Sequence, residues 1–230
     1  MAFTNEQLER YSRHIILKEI GVKEQKKLMN SNLQRQIIHA TSDIGKIKAD
    51  SAKESMQNIN PEVKVIAYHE FVNSKNILDL IKDYDFILDG ADNFPAKFLI
   101  NDACVISKKP FSHAGIIRFK GQLMTIIPGE SPCYSCVFKE MPPKDAIPTC
   151  RQAGVIRAMA GAIGSLQALE AIKFITGTGK LLAGSLLTFD ALDMNFHKIN
   201  LPKRNHNCTV CGDNPAITEL VDYEQPACDL

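Results

Sequence analysis

The chain has no excess of charge of either sign. Its 27 lysines and arginines stand against 26 aspartates and glutamates, a formal net charge of +1 over 230 residues. A balance of this kind gives no electrostatic reason to bind nucleic acid or an anionic membrane surface. No apolar run is expected to reach the roughly 20 residues that a membrane span needs. The opening MAFTNEQLERYSRH is polar and carries acidic residues. It matches neither a secretory signal nor an amphipathic transit peptide, so a cytoplasmic location is expected by default. Internal repeats and low-complexity linkers are missing. An even cysteine count is missing too: there are seven. That count points away from a disulfide framework and towards metal binding or thiol chemistry. One further absence is local. Residues 26 to 36, KKLMNSNLQRQ, pass from a basic helical stretch straight into the polar pentad NLQRQ. No glycine lies between them, and nothing upstream reads as a strand.

What is present suffices for a core, since 45% of residues are hydrophobic. Thr4-Asn5-Glu6-Gln7 reads as a capping box opening a helix with Leu8, Tyr11 and Ile15, and Val22 to Met29 as a second, short helix. A helix is predicted over Lys46 to Asn58, and a strand in the β-branched VKVIAY of 63–68. Asn73 or Ser74 is placed to cap a helix through Lys82. DFILD (85–89) reads as a short buried strand, and Pro95 fits the first turn of a helix to about Ser107. FSHAG and QLMTIIP (122–128) read as strands, and so does SLLTFD (185–190). MAGAIGSLQALEAIKFITG (159–177) reads as a strongly amphipathic helix ending at Gly177. The tail beyond looks irregular. Strand and helix alternate in the middle third, which predicts an α/β fold with a parallel sheet that becomes mixed in the C-terminal half.

The strongest local pattern is Cys133-Tyr-Ser-Cys136 with Cys208-Thr-Val-Cys211. Each pair can grip a metal ion from a tight turn, and two pairs complete a tetrahedral thiolate site suited to zinc. Because 71 residues separate the pairs, the pattern is a clip across the fold, not a zinc ribbon. The alternative is two unrelated reduced pairs or a redox dithiol. In ILDGADN (87–93), an acidic residue closes a buried strand, where open α/β sheets bind ligands. Asp92 could hold magnesium against a nucleotide, or serve as an Asx turn and helix cap before Pro95. Cys150 has Arg151 beside it, which favours a thiolate, or it is a loop cysteine without a role. Arg35, Lys46 and Lys48 form a cationic group that could hold phosphates or stand solvated. Gly161-Ala-Ile-Gly164 has no strand to feed a phosphate turn and reads as close helix packing. Cys104 falls inside an apolar helical pattern.

In order along the chain come RYSRH, SNLQRQ, GKIKADSAKE, GADNFPAKFLINDAC, GQLMTIIPGESPCYSC, PTCRQAGV, GSLQALEAIKFITG, FDALDMNF and CTVCG. The set resembles the ThiF/MoeB/HesA family of ubiquitin-activating-like adenylyltransferases, with CRQAGV and ITELVDY closest to the ThiF branch. The resemblance spans the whole chain and implies one Rossmann-like domain over 1–230, its sheet flanked by helices and its part from 120 to 230 clipped by zinc. It implies ATP-dependent adenylation of the C-terminal glycine of a ubiquitin-like sulfur carrier, ThiS- or MoaD-like, with Mg2+, for sulfur transfer in thiamine or molybdopterin biosynthesis. Asn32, Arg35 and Gln36 match nucleotide contacts, Lys48 a phosphate-binding lysine and Asp92 the magnesium-linked aspartate. Arg13 matches an arginine that reaches the partner subunit's site, which implies a homodimer. Cys150 matches the sulfur-transfer cysteine, with a sulfurtransferase or cysteine desulfurase as a further partner. Cys133, Cys136, Cys208 and Cys211 match the structural zinc ligands.

The chain departs from the family between its opening helices and SNLQRQ. The first βαβ unit, with its glycine-rich GxGxxG turn and following acidic strand end, has no counterpart. Met29-Asn30-Ser31 meets Asn32 directly. About 35 to 40 residues are missing by comparison, the size of one βαβ unit. The lost turn would cradle the phosphates at a helix N-terminus, and the lost strand would leave its neighbours with open edges. Lys97 stands where the family often has arginine. The gap reads as a segment missing from this sequence but not from the protein, as an inactive shortened member, or as a subunit that binds a carrier or partner without activating it.

Overall fold

The computed structural model describes residues 38, 43, 45–142 and 156–224, the side chain of Arg157 excepted. The predicted helices before residue 30 lie outside them. The described residues divide into two compact units, one up to residue 71 and one from residue 72 onward.

In the smaller unit, helix α1 spans Lys48–Ile59. Ser51 is its buried residue, and Ser55 Oγ donates to the Ile38 carbonyl at 2.7 Å. The segment VKVIAY is not a strand: residues 64–69 belong to no regular element. Val63, Ile66 and Tyr68 are exposed. A β-branched run becomes a strand only when a neighbour completes its ladder. In the nucleotide-binding order 3-2-1-4 the neighbour of a third strand is the second, and that strand belongs to the unit the sequence lacks.

The larger unit is a sheet with helices on both faces. Its elements are α2 (Ile77–Ile81), β1 (Ile87–Asp89), α3 (Phe94–Ile106), β2 (Phe111–Ile117), β3 (Lys120–Ile126), α4 (Tyr134–Val137), α5 (Arg157–Thr176), β4 (Ser185–Asp190) and β5 (Asn195–Asn200). The strands lie in the order β1-β2-β3-β4-β5. β1 and β2 run parallel, joined by α3. The remaining pairs are antiparallel, so the sheet is mixed as expected. The predicted helix through Lys82 is only five residues long, because Asn73 and Asn76 close a turn ahead of it by exchanging side-chain bonds with each other's backbone N–H. The tail is less irregular than expected: β5 forms a hairpin with β4, and Phe189 stacks on Phe196 at 4.1 Å.

Alternation across the pleat sorts the core into two layers. One face of the sheet brings Phe111, Met124 and Ile126 against Leu99, Ala103 and Cys104 of α3. Cys104 is fully buried, and burial pushes its thiol pKa up, as a core cysteine requires. The opposite face packs Ala114, Leu123 and Phe189 against Met159 and Ile163 of α5. Helix α5 ends as predicted, with Gly177 in the left-handed region and the Thr178 N–H bonded to the Lys173 carbonyl. It is not amphipathic, however. Its sheet face buries the polar Gln167 and Glu170, while Leu169, Ile172 and Ile175 face outward. Over Ala158–Thr176 it is also long and apolar enough by composition to cross a membrane, contrary to expectation. Its sheet face is anchored by polar contacts: Gln167 Nε2 donates to the Asp89 and Ser112 carbonyls at 3.0 Å, and Glu170 accepts from Thr125 Oγ1 and the Leu182 N–H.

Helix α5 approaches β3 at Gly121, where an added Cβ would lie 2.5 Å from Ile163 Cδ1 and 2.6 Å from Cγ1. Ile163 is itself buried, so the overlap cannot be relieved into solvent. Gly121→Ala should destabilise the fold by about 1–3 kcal/mol, read as a lower denaturant midpoint at unchanged slope.

Candidate functional site

The turn after β1 is built around Asp89. Its carboxylate is 1% exposed and still has three partners: Lys97 Nζ at 3.2 Å, His113 Nδ1 at 2.7 Å and the Ala91 N–H at 2.8 Å. Burial pushes this carboxyl up, but the His113 hydrogen bond and the Lys97 charge outweigh it and hold the pKa below the ordinary value. Lys97 also donates to the Ala114 carbonyl at 2.7 Å, which binds α3 to β2. His113 is pushed down by burial, against the pull of Asp89. It therefore stays neutral, with Nδ1–H donating to Asp89, beneath the ring of Tyr134 at 4.6 Å.

This network decides what the next residues do. The cap of α3 is Asn93, whose Oδ1 accepts the Ala96 N–H at 2.9 Å, ahead of Pro95 in the first turn. Asp92 is therefore not the cap. It is exposed and makes no hydrogen bond or ion pair among the described residues. A carboxylate held out at the C-terminal end of a parallel strand is where an α/β sheet meets a ligand. In the smaller unit the cations divide likewise. Lys46 is taken up by Asp43 at 3.1 Å and Glu54 at 2.8 Å. Lys48 opens α1, exposed and without a partner among the described residues. Arg13, Asn32, Arg35, Gln36 and Cys150 lie outside the described residues.

The four cysteines converge. Their sulfurs all lie within 4.8 Å of one another, with Cys133–Cys136 at 3.8 Å, Cys133–Cys208 at 3.6 Å and Cys136–Cys211 at 3.4 Å. A tetrahedral zinc with bonds of about 2.3 Å spaces its sulfurs about 3.8 Å apart, so the donor set fits. None of the four is in a disulfide. Hydrogen bonding from Cys133 holds Cys136 well below the usual thiol range, and the same contact pushes Cys133 up. For Cys211 the bond with Cys133 favours the thiolate, but Cys136 and burial outweigh it and push the group up to about 12. Thiols this close cannot all ionise without a cation among them. Both turns are shaped by backbone bonds. The Cys136 N–H donates to the Cys133 carbonyl, and the Gly212 N–H to that of Cys208. At Gly212 a Cβ would lie 2.4 Å from the Cys208 oxygen, so only glycine closes this turn. Asn101, fully buried in α3, anchors the first pair: its Oδ1 accepts the Tyr134 N–H and its Nδ2 donates to Ser135 Oγ. Asp102 beside it accepts from the Tyr223 hydroxyl at 2.5 Å, which ties down the tail.

The four cysteines are legible in the sequence as a possible metal site, and Asp92 as a candidate ligand; the side chains that support them are not. His113, Asn101, Gln167 and Glu170 lie in otherwise apolar runs, and a polar residue at a buried register position was the available signal.

The fold and site therefore define a Rossmann-like α/β protein with a four-thiolate clip and a free carboxylate after a parallel strand. The chain belongs to the ThiF family, whose profile matches residues 30–210. It is 38% identical to a sulfur carrier protein adenylyltransferase of Thermus thermophilus, covering 97% of this chain and 98% of that one. It is 36% identical to the adenylyltransferase and sulfurtransferase MOCS3 of Culex quinquefasciatus and 35% to that of Sus scrofa, but spans only 59% and 57% of their lengths. A crystal structure of Escherichia coli MccB with ATP shares the fold at a TM-score of 0.64 and 23% identity, over 80% of this chain and 56% of that one. The Thermus alignment runs over 266 positions, against 230 residues in this chain. At least 36 of them thus fall on the relative alone, the size expected for the missing βαβ unit.

Two outcomes test this site. Acid should destabilise the larger unit in two stages. His113, neutral when folded, costs stability as pH falls below its unfolded value of about 6.5. Asp89, charged when folded, costs more as pH falls through its depressed value. His113→Gln should flatten the first stage in pH-dependent urea unfolding. Chelating the metal should raise hydrogen exchange in 201–224 well before the β2–β3 amides exchange.

Proposed function

We propose that this protein binds ATP with Mg2+ and adenylates the C-terminal glycine carboxylate of a ubiquitin-like sulfur carrier, so that sulfur can then attack the acyl-adenylate. The observation that carries this reading is Asp92, freed from capping by Asn93 and held out by the Asp89 network. A carboxylate in that place can hold the magnesium that offsets charge on the departing pyrophosphate. Lys48 and Arg35 supply positive charge to the phosphates. Asn32 and Gln36 contact the nucleotide. Arg13 reaches a partner's site in a homodimer. Cys150 serves the later sulfur transfer, with a sulfurtransferase or cysteine desulfurase as donor. The names of the Thermus and MOCS3 relatives support the carrier as substrate. CRQAGV and ITELVDY favour the thiamine branch over the molybdopterin branch, and a cytoplasmic location accords with that role.

A second reading rests on the gap. Without the glycine turn, the phosphates lose their backbone donors and the ribose its acidic partner. The chain would then hold a carrier or a partner subunit without activating it.

Carrier-dependent ATP–pyrophosphate exchange separates the two. The first reading expects exchange, reduced roughly a hundredfold or more by Asp92→Ala and unchanged by Cys150→Ala, which would impair only sulfur transfer. Carrier binding by calorimetry with no exchange would support the second reading and remove the first. An intact mass of 25.5 kDa for the expressed chain would show that the gap belongs to the protein.

A further inference from the structure

The second cysteine pair lies in an arch, residues 204–213, that is closed on itself without using a sulfur. The Cys208 N–H donates to the Asn205 carbonyl at 3.0 Å and the Asp213 N–H to that of His206 at 2.9 Å. Across the arch, Arg204 Nη1 donates to the Cys211 carbonyl at 2.5 Å, and Nη2 to Asp213 Oδ1 at 2.6 Å. His206 Nδ1 lies 2.9 Å from Asp213 Oδ2. The Arg204 side chain is 24% exposed and that of Asp213 54%, so the ion pair adds little stability as a charge contact alone. Its geometry matters more. A planar guanidinium holds the Cys211 carbonyl on one side of Gly212 and the Asp213 carboxylate on the other. The Cys211 carbonyl cannot turn without breaking the fork, so the backbone that carries the Cys211 side chain is held in place.

We propose that Arg204 is a positioning residue for the metal clip: with Asp213 it holds the backbone from which the Cys211 side chain projects, so the arch that carries the second cysteine pair is shaped before a metal arrives. This rests on reading the four thiols as a metal site. Pre-shaping lowers the ordering cost of binding, and outer partners of this kind are worth roughly 10- to 100-fold in metal affinity. Lysine cannot replace Arg204, because a single ammonium does not span both acceptors.

The test is competition for zinc between the full-length chain and a chromophoric chelator, for the wild type, Arg204→Met, Arg204→Lys, Asp213→Asn and the exposed neighbour Lys203→Met. Arg204→Met should weaken zinc retention roughly 10- to 100-fold, with Arg204→Lys recovering only part of it. Asp213→Asn, which keeps the bond to Cys211, should lie in between, and Lys203→Met should match the wild type. Thermal unfolding of the zinc-free proteins separates positioning from general support: the midpoint of Arg204→Met should stay within a few degrees of the wild type. Zinc retention by Arg204→Met within twofold of the wild type would overturn the proposal. Should that variant not fold, Asp213→Asn decides, and wild-type retention there is equally fatal. A wild-type chain that takes up no zinc removes the metal reading and this one with it.

Discussion

Asp89 carries a negative charge in a place almost without water, and the larger unit is arranged around keeping it there. A buried carboxylate is tolerated only when charge and hydrogen bonds replace its hydration. Here Lys97 comes from α3, His113 from β2 and the Ala91 N–H from the turn that follows β1. The Asp89 carbonyl is held in addition by Gln167 of α5. One residue therefore joins the parallel strand pair to the helices on both of its faces. The orientation of Asp92 follows from it, since the turn that presents Asp92 hangs from the Asp89 carboxylate.

The cysteine clip belongs to the same core layer as α3. His113 packs beneath Tyr134, which lies inside the first cysteine turn, and Tyr134 in turn meets Phe98 and Phe138. Asn101 locks that turn to α3, and Asp102 takes the Tyr223 hydroxyl. The metal site, the Asp89 network and the tail thus share one aromatic cluster.

Legibility from sequence followed the range of each interaction. The CxxC pairs were readable because each is a local pattern that a single turn can satisfy. Pro95 marked the start of α3 and Gly177 the end of α5 for the same reason. Asp92 was left open between cap and ligand, because Asn93 beside it is as good a cap, and only the bond to the Ala96 N–H separates them. VKVIAY has every local property of a strand, yet pairing needs a neighbour that the chain does not supply. Helix α5 misled in another way. Its buried face is partly polar and its outward face apolar, so a periodic pattern of hydrophobic residues pointed away from the side that packs.

By itself the sequence determined the family, the order of the motifs, which four cysteines could hold a metal and the existence of the gap. Those are matters of composition and spacing along one dimension. The tertiary structure alone decided that cysteine pairs 71 residues apart bring their four sulfurs within 4.8 Å of one another. It alone decided that Lys46 is spent on carboxylates while Lys48 is not. It also showed that Asp89, His113 and Lys97 form one charge-balanced group. The physical reason is common to all three. A side chain's electrostatic role depends on which charges and dipoles lie within a few ångströms of it, and strand pairing and helix packing bring those together from distant parts of the chain.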